Sequence, residues 1–302
     1  WKNRLGPLLD KDLSYAEKVL EYCEKNGVGI TCPGDHFYPQ RLRELQNAPI
    51  VLYHLGKFCD IDLTPCVTVV GTREPSPYGQ RAAKRLCVDL ARGGATLVSG
   101  LARGIDALAH RAALFCESFT IGVLGCGIDR VYPPEHRDLI EQVSQTGLLL
   151  TEFAPGTPPS AKNFPLRNRL LAALGDLTLV VEAGAQSGAL ITAEHCIRLK
   201  RTIYTVPGSI FAASAAGSNH LLRCGAKSAL NAEELLSELS AKYPGKLSVP
   251  EKPRSLRRSP APRAALFAFP GSRRGSGEES LPPEFSGKAP EKAPPEKARF
   301  EK

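Results

Sequence analysis

The sequence predicts an α/β fold: a doubly wound, mostly parallel sheet, led in by a small N-terminal helical segment and followed by a disordered C-terminal tail. Three observations carry this. From Cys66 onward, short apolar β-rich runs alternate with helical stretches. The runs are apolar on both faces rather than at every second position alone, as strands covered on both sides are. After Tyr243 the character changes, and eleven of the 25 prolines fall between Pro244 and Pro295, among arginine pairs and repeated Pro-Glu-Lys steps. A segment of that composition buries too little apolar surface to offset chain entropy. The expected boundaries are 1–60 for the lead-in, 61–241 for the α/β domain and 242–302 for the tail.

In the lead-in, Ser14 and Glu17 have the spacing of a capping box with Leu13 as its staple. The helix is expected to end near Asn26 at Gly27. A proline-punctuated stretch with Phe37, Tyr38 and Tyr53 follows. In the domain the strand runs are Cys66–Val70, Thr96–Ser99, Phe119–Leu124, Leu148–Thr151, Leu177–Val181 and Thr202–Val206. Helices are expected near Tyr78–Arg92, Gly104–Phe115, Glu135–Gln145, Pro165–Leu174, Gly188–Leu199 and Asn219–Cys224. A closing helix, Asn231–Leu239, has Asn231 as its N-cap.

Composition bounds the function. The apolar fraction of 42% and charged fraction of 23% are those of a globular protein. No apolar run reaches the roughly 18 residues that span a bilayer, and no secretory signal opens the chain. Nine scattered cysteines without a C-x-x-C pair fit reduced core thiols, a cytoplasmic location and no metal site. The first residue is Trp1 and Met is absent, so residues are expected to be missing upstream. Net charge is +8, but residues 241–302 carry +7 of it. A nucleic-acid partner for the folded part must therefore be argued from local clusters.

In open α/β sheets, ligands bind beyond the carboxyl ends of the strands. Those ends read Gly71-Thr72-Arg73, Ser99-Gly100-Leu101-Ala102-Arg103-Gly104, Gly125-Cys126-Gly127, Glu182-Ala183-Gly184-Ala185-Gln186-Ser187-Gly188 and Pro207-Gly208-Ser209. Glycine lets backbone amides approach a ligand, and helix N-termini add unsatisfied donors and partial positive charge. Phosphate is the usual occupant. Tight βα turns need glycine in any case, so it is Arg73 and Arg103 that tilt the reading toward phosphate. The dinucleotide fingerprint is absent, because Gly71 is followed by Thr72-Arg73. The phosphate loop of ATPases is absent too. No nucleotide cofactor is expected.

The segment Lys162-Asn163-Phe164-Pro165-Leu166-Arg167-Asn168-Arg169 places Pro165 in the first turn of a helix, with cations close to its positive end. Phe164 is either a packing residue or a platform on which a base stacks, a contact worth on the order of 1–3 kcal/mol.

Together these motifs, with Val69-Val70-Gly71-Thr72-Arg73, Tyr78-Gly79, Val98–Asp106, Val131-Tyr132-Pro133-Pro134, Asn163-Phe164-Pro165 and Val206-Pro207-Gly208-Ser209, resemble the bacterial DprA/Smf family in order and spacing from about Gly29 to Leu239. The resemblance implies an extended Rossmann-like domain that binds single-stranded DNA, self-associates as a homodimer and loads the RecA recombinase onto incoming DNA in natural transformation. It implies no catalytic residue. The DNA-site residues expected from motif and resemblance together are Gly71, Thr72, Arg73, Ser99, Gly100, Arg103, Gly104, Lys162, Phe164, Arg167, Asn168, Arg169, Ser187, Gly188 and Lys227. Many family members also carry a helical module ahead of the sheet and a winged-helix-like domain at the end. Here residues 1–60 hold only part of the first, and the tail stands in place of the second.

The alternative is an enzyme on a related fold, a phosphoribohydrolase-like protein that cleaves a nucleotide glycosidic bond. Its candidate carboxylates are Asp106, Glu182 and Glu194, with Asp106 also placed to hold its own helix start or to pair with Arg103. The P-G-G-x-G-T-x-x-E loop of such hydrolases is missing after the fifth strand.

Overall fold

The computed structural model describes residues 11–249. Its nine strands are β1 (Gly29–Thr31), β2 (Leu52–Gly56), β3 (Cys66–Val70), β4 (Thr96–Ser99), β5 (Thr120–Val123), β6 (Leu148–Thr151), β7 (Leu177–Val180), β8 (Thr202–Thr205) and β9 (Lys227–Ser228). They form one sheet in the order β1-β2-β6-β5-β4-β3-β7-β8-β9. The seven strands from β3 onward run parallel, and β2 pairs antiparallel with both β1 and β6. The doubly wound α/β expectation holds.

The helices are α1 (Ser14–Asn26), α2 (Gln40–Arg43), α3 (Pro77–Arg92), α4 (Ile105–Phe115), α5 (Arg137–Thr146), α6 (Asn163–Leu174), α7 (Ala189–Arg198), α8 (Ala216–Arg223) and α9 (Ala232–Lys242). Strand side chains alternate between two apolar layers. Val67, Val69, Leu97 and Leu179 pack against Leu86, Leu90 and Ala109 of α3 and α4 and Leu235 and Leu236 of α9. Val70, Val98, Ile121 and Val180 pack on the other face against Leu170, Leu171, Ala193 and Cys196 of α6 and α7. A third cluster joins α1 and α5 to the far end of the sheet through Val19, Cys23, Leu139, Val143 and Leu149.

The lead-in differs from expectation. It adds two strands, β1 and β2, which pair through Thr31–Leu52 and Tyr53–Thr151 and extend the sheet. Their runs are too short and broken for a period-2 reading. The Ser14–Glu17 capping box does not form: Ser14 is already helical, and its N–H donates to the Asp12 carboxylate at 2.9 Å. Gly27 does end α1, in the left-handed region at φ 65°. Asn231 caps α9 as expected, accepting from the Glu234 N–H at 3.2 Å. The tail expected from 242 begins as anchored chain. Tyr243 is buried, the Lys246 ammonium donates to the Leu63 carbonyl at 2.6 Å, and the Ser248 N–H donates to the Gly93 carbonyl at 2.9 Å. From 250 on it lies outside the described residues.

Arg41 pins the lower end of the sheet. Its buried guanidinium donates to the Leu174 carbonyl at 2.5 Å and the Tyr243 hydroxyl at 2.9 Å, and it pairs with Asp62 at 3.2 Å and Asp176 at 3.4 Å.

Candidate nucleic-acid interface

The connection leaving β3 enters α3 on one face of the sheet, and the connection leaving β7 enters α7 on the opposite face. Neighbouring strands whose connections diverge leave a crevice at their carboxyl ends. A cleft of about 710 Å³ lies there, lined after β3 by Val70–Arg73, after β7 by Gly184 and Gln186–Ala189, and above by the start of α6. A smaller adjoining recess is lined by Arg73, Gly100, Arg103, Gly125, Tyr132 and Phe164. Four of the five glycine-rich turns named from the sequence, all but Pro207-Gly208-Ser209, line these two cavities at the carboxyl rim of the sheet.

Two turns are stitched together at that rim. The Ile105 N–H donates to the Thr72 carbonyl at 3.2 Å. Gly104, at φ 74°, lets this happen, since a Cβ there would stand 2.6 Å from the Arg73 carbonyl oxygen. Glu182 clamps the β7 end to the same turn: its backbone carbonyl accepts from the Thr72 N–H at 2.7 Å, and its buried carboxylate accepts from the Ser76 N–H at 2.9 Å and the Ser214 hydroxyl at 2.6 Å. This carboxylate is occupied in holding loops.

The residues expected at the site separate into three groups. Arg73 is exposed, lines both cavities and lies over the Phe164 ring at 5.8 Å. Phe164 in turn packs against Tyr132, with ring centroids 5.2 Å apart, and covers Gly125, where a Cβ would lie 2.8 Å from the ring. Gly71, Thr72, Asn168, Ser187 and Gly188 line the cleft beside them. The Asn168 amide also donates to the Gly188 carbonyl at 3.4 Å.

A second group reaches the rim but is committed inward. Arg167 is buried under Gly100 and donates to the Gly100 carbonyl at 2.8 Å and to the Val123 carbonyl. Burial pushes its pKa down, opposed by the neighbouring Asp106 carboxylate. Asp106 is buried and accepts from the Gly100 N–H at 3.1 Å. Burial raises its pKa, and Arg167 works against that rise. Asp106 therefore ties the turn after β4 to the first turn of α4, rather than capping that helix, and faces Arg167, not Arg103. The Ser99 hydroxyl is buried and donates to the Val69 carbonyl at 2.7 Å.

A third group is ion-paired. Arg103 pairs with Glu135, both half exposed. Arg169 is held by both oxygens of Glu152, at 2.9 and 2.6 Å. Lys227 pairs with Glu238 at 2.7 Å on the edge strand β9 and lines neither cavity. Lys162 is exposed just before α6 and lines neither cavity. Of the carboxylates considered for glycosidic cleavage, Asp106 and Glu182 are engaged as described, and Glu194 lies exposed on α7, outside both cavities.

Of the residues that line the cleft, Tyr132 and Gln186 stand out in the sequence only as members of motifs, and Thr192 carries no signal there at all. Tyr132 lies in a loop far along the chain from Phe164, and no periodic pattern links the two. Among the described residues no group of His, Cys, Asp and Glu could hold a metal, and no helix is long and apolar enough to cross a membrane.

The family model described as DNA recombination-mediator protein A matches residues 29–240, from the first residue of β1 into α9. The chain belongs to this family, the DprA/Smf proteins. It is 41% identical over 224 residues to the protein Smf of Synechocystis, a match covering 73% of this chain and 56% of that one. It is 34% identical over 222 residues to the DNA processing protein DprA of Bacillus subtilis, covering 74% and 75%. The chain thus spans little more than half the length of the Synechocystis relative. Among solved structures, the X-ray structure of DprA from Streptococcus pneumoniae superposes with a TM-score of 0.68 at 34% identity, over 72% of this chain and 77% of that one. DprA from Helicobacter pylori, whose structure concerns a single-stranded DNA binding mode, gives 0.64 at 30% identity over 71% and 97%. The family match ends at 240, so the pinned residues 242–249 and the tail lie beyond it.

Proposed function

We propose that the chain is a DNA-processing protein that binds single-stranded DNA along the carboxyl rim of its sheet, without reading sequence. The observation that carries this is the stack of Arg73, Phe164 and Tyr132 at the mouth of the cleft. A guanidinium beside an aromatic face offers one phosphate contact and one stacking surface, the pairing that holds a flexible strand of any sequence. The start of α7 at Gly188–Ala189 lines the opposite wall and adds the positive end of a ten-residue helix. The likeness to the Helicobacter pylori protein supports the same partner. Of the expected site residues, Arg73, Gly71, Thr72, Phe164, Asn168, Ser187 and Gly188 form the contact surface in this proposal. Arg167, Ser99, Gly100 and Gly104 shape it. The carriage of bound strand to RecA, self-association and a cytoplasmic location belong to the same proposal and rest on family membership.

The test is a salt titration of oligonucleotide binding, single- against double-stranded. Tighter binding of the single strand is expected. Arg73→Ala should weaken binding alike for all sequences and flatten the logarithmic salt dependence by about 0.7, the value for one lost contact to a single strand. Phe164→Ala should weaken binding with an unchanged slope, because stacking releases few counterions. Unchanged affinity in both variants removes the cleft from the proposal.

A further inference from the structure

The rim does not end at the cleft. Beyond β7, the chain leaves β8 through Pro207-Gly208-Ser209-Ile210-Phe211-Ala212. The base of this loop is fixed at several points. Asn219 accepts from the Gly208 N–H at 3.1 Å and donates to the Gly208 carbonyl at 3.2 Å. The Tyr78 hydroxyl, from the first turn of α3, donates to the Pro207 carbonyl at 2.9 Å. The Ser214 hydroxyl binds Glu182 at 2.6 Å, and the Gly217 N–H binds the Ala183 carbonyl at 2.8 Å, so the loop is tied to the same segment that forms the cleft wall. The tip is folded back on itself, with the Phe211 and Ala212 amides donating to the Ser209 hydroxyl and carbonyl at 3.3 and 3.1 Å.

On that clamped tip, two large apolar side chains stand in solvent: Ile210 is 85% and Phe211 93% exposed. Phe211 is the most exposed of the large apolar side chains among the described residues. A floppy loop would leave such a side chain free to collapse onto the surface. This loop instead holds it out at the carboxyl edge of the sheet, one strand beyond the Gly184–Gly188 wall and outside both cavities.

We infer that Phe211 is a second base-stacking platform, so that the bound strand runs from Phe164, above the end of β5, across the cleft to the end of β8. This rests on the single-stranded DNA reading of the cleft and extends it. Strands β5, β4, β3, β7 and β8 are consecutive neighbours. The path therefore crosses four interstrand spacings, about 19 Å, enough for several nucleotides. An aromatic ring at each end of a phosphate-binding cleft is the arrangement that grips a strand at two points without choosing its bases. A solvent-held phenyl ring is otherwise an unfavourable surface, and the favoured occupant is a planar base, because the loop shares the carboxyl edge of the sheet with the cleft and is bonded to the Glu182–Ala183 segment that leads into its wall.

The experiment measures affinity for homopolymer DNA oligonucleotides of increasing length, using the full chain and its Phe211→Ala, Phe211→Tyr and Phe211→Leu variants, with Phe164→Ala for comparison. For the shortest oligonucleotides that bind, Phe211→Ala should match the unaltered protein. Beyond the length that spans the rim, it should bind about 5- to 50-fold more weakly, with an unchanged salt slope. Phe211→Tyr should restore the affinity and Phe211→Leu should not. In Phe211→Trp the introduced indole fluorescence should be quenched only by oligonucleotides above the same length. If the unaltered protein binds no single strand, the cleft reading fails and this inference with it. If the unaltered protein binds and loses affinity in Phe164→Ala, while Phe211→Ala is unchanged at every length, this inference alone is overturned. It is likewise overturned if Phe211→Ala changes only the self-association of the protein, which makes the loop a protein contact.

Discussion

Arg73 and Arg167 have the same side chain and line the same cleft, yet they do different work. Arg73 is exposed, with its guanidinium over an aromatic ring. Arg167 spends its donors on the carbonyls of two neighbouring strand ends. Sequence reasoning grouped them because both follow the motif. Nothing in a motif says whether a guanidinium faces out or is covered by Gly100. Arg103 is a third case, a cation at the rim held by Glu135. Surface pairs of this kind contribute little to stability, so neutralising the acid releases the cation at small cost. Glu135→Gln is expected to tighten single-strand binding a few-fold and to steepen the salt dependence by about 0.7. Arg103→Ala should change binding far less than Arg73→Ala. Equal losses in the two arginine variants would show that the pair opens on binding.

Among the elements, the parallel strands β3 to β8 and their helices were legible in the sequence because each strand carries apolar residues on both faces. Leu177–Val180 and Cys66–Val70 can hardly be anything else. The edge strands were not legible. β1 has three residues and β9 two, and both owe their conformation to the neighbour they pair with rather than to their own sequence. The phosphate-type turns were legible as glycine-rich, but not the way they are joined. That junction depends on Gly104, whose φ of 74° and close approach to the Arg73 carbonyl exclude a side chain. Gly104→Ala is expected to cost about 1–3 kcal/mol, read as a lower denaturant midpoint at unchanged slope. It should also weaken single-strand binding, since the turn that carries Arg73 must move. A substitution that left both stability and binding intact would mean that the stitch is dispensable.

For the whole molecule, the boundary expected at residue 242 falls inside the packed structure. A chain ending at residue 249 is expected to unfold cooperatively at the midpoint of the full chain. One ending at 241 removes Tyr243 from Arg41 and should lose about 1–3 kcal/mol, the cost of leaving a buried donor short of a partner. Denaturant titration of the two truncations separates these outcomes, and equal midpoints would demote the Arg41 pin. That pin gathers residues 41, 62, 176 and 243, contributed from both ends of the domain. During synthesis the guanidinium emerges early and its last partner arrives some two hundred residues later. Until then the guanidinium holds Asp62, the Leu174 carbonyl and Asp176 without it. A chain stalled just short of its final turn is therefore expected to hold its fold with a weakened clasp, short of full strength by the same margin of about 1–3 kcal/mol.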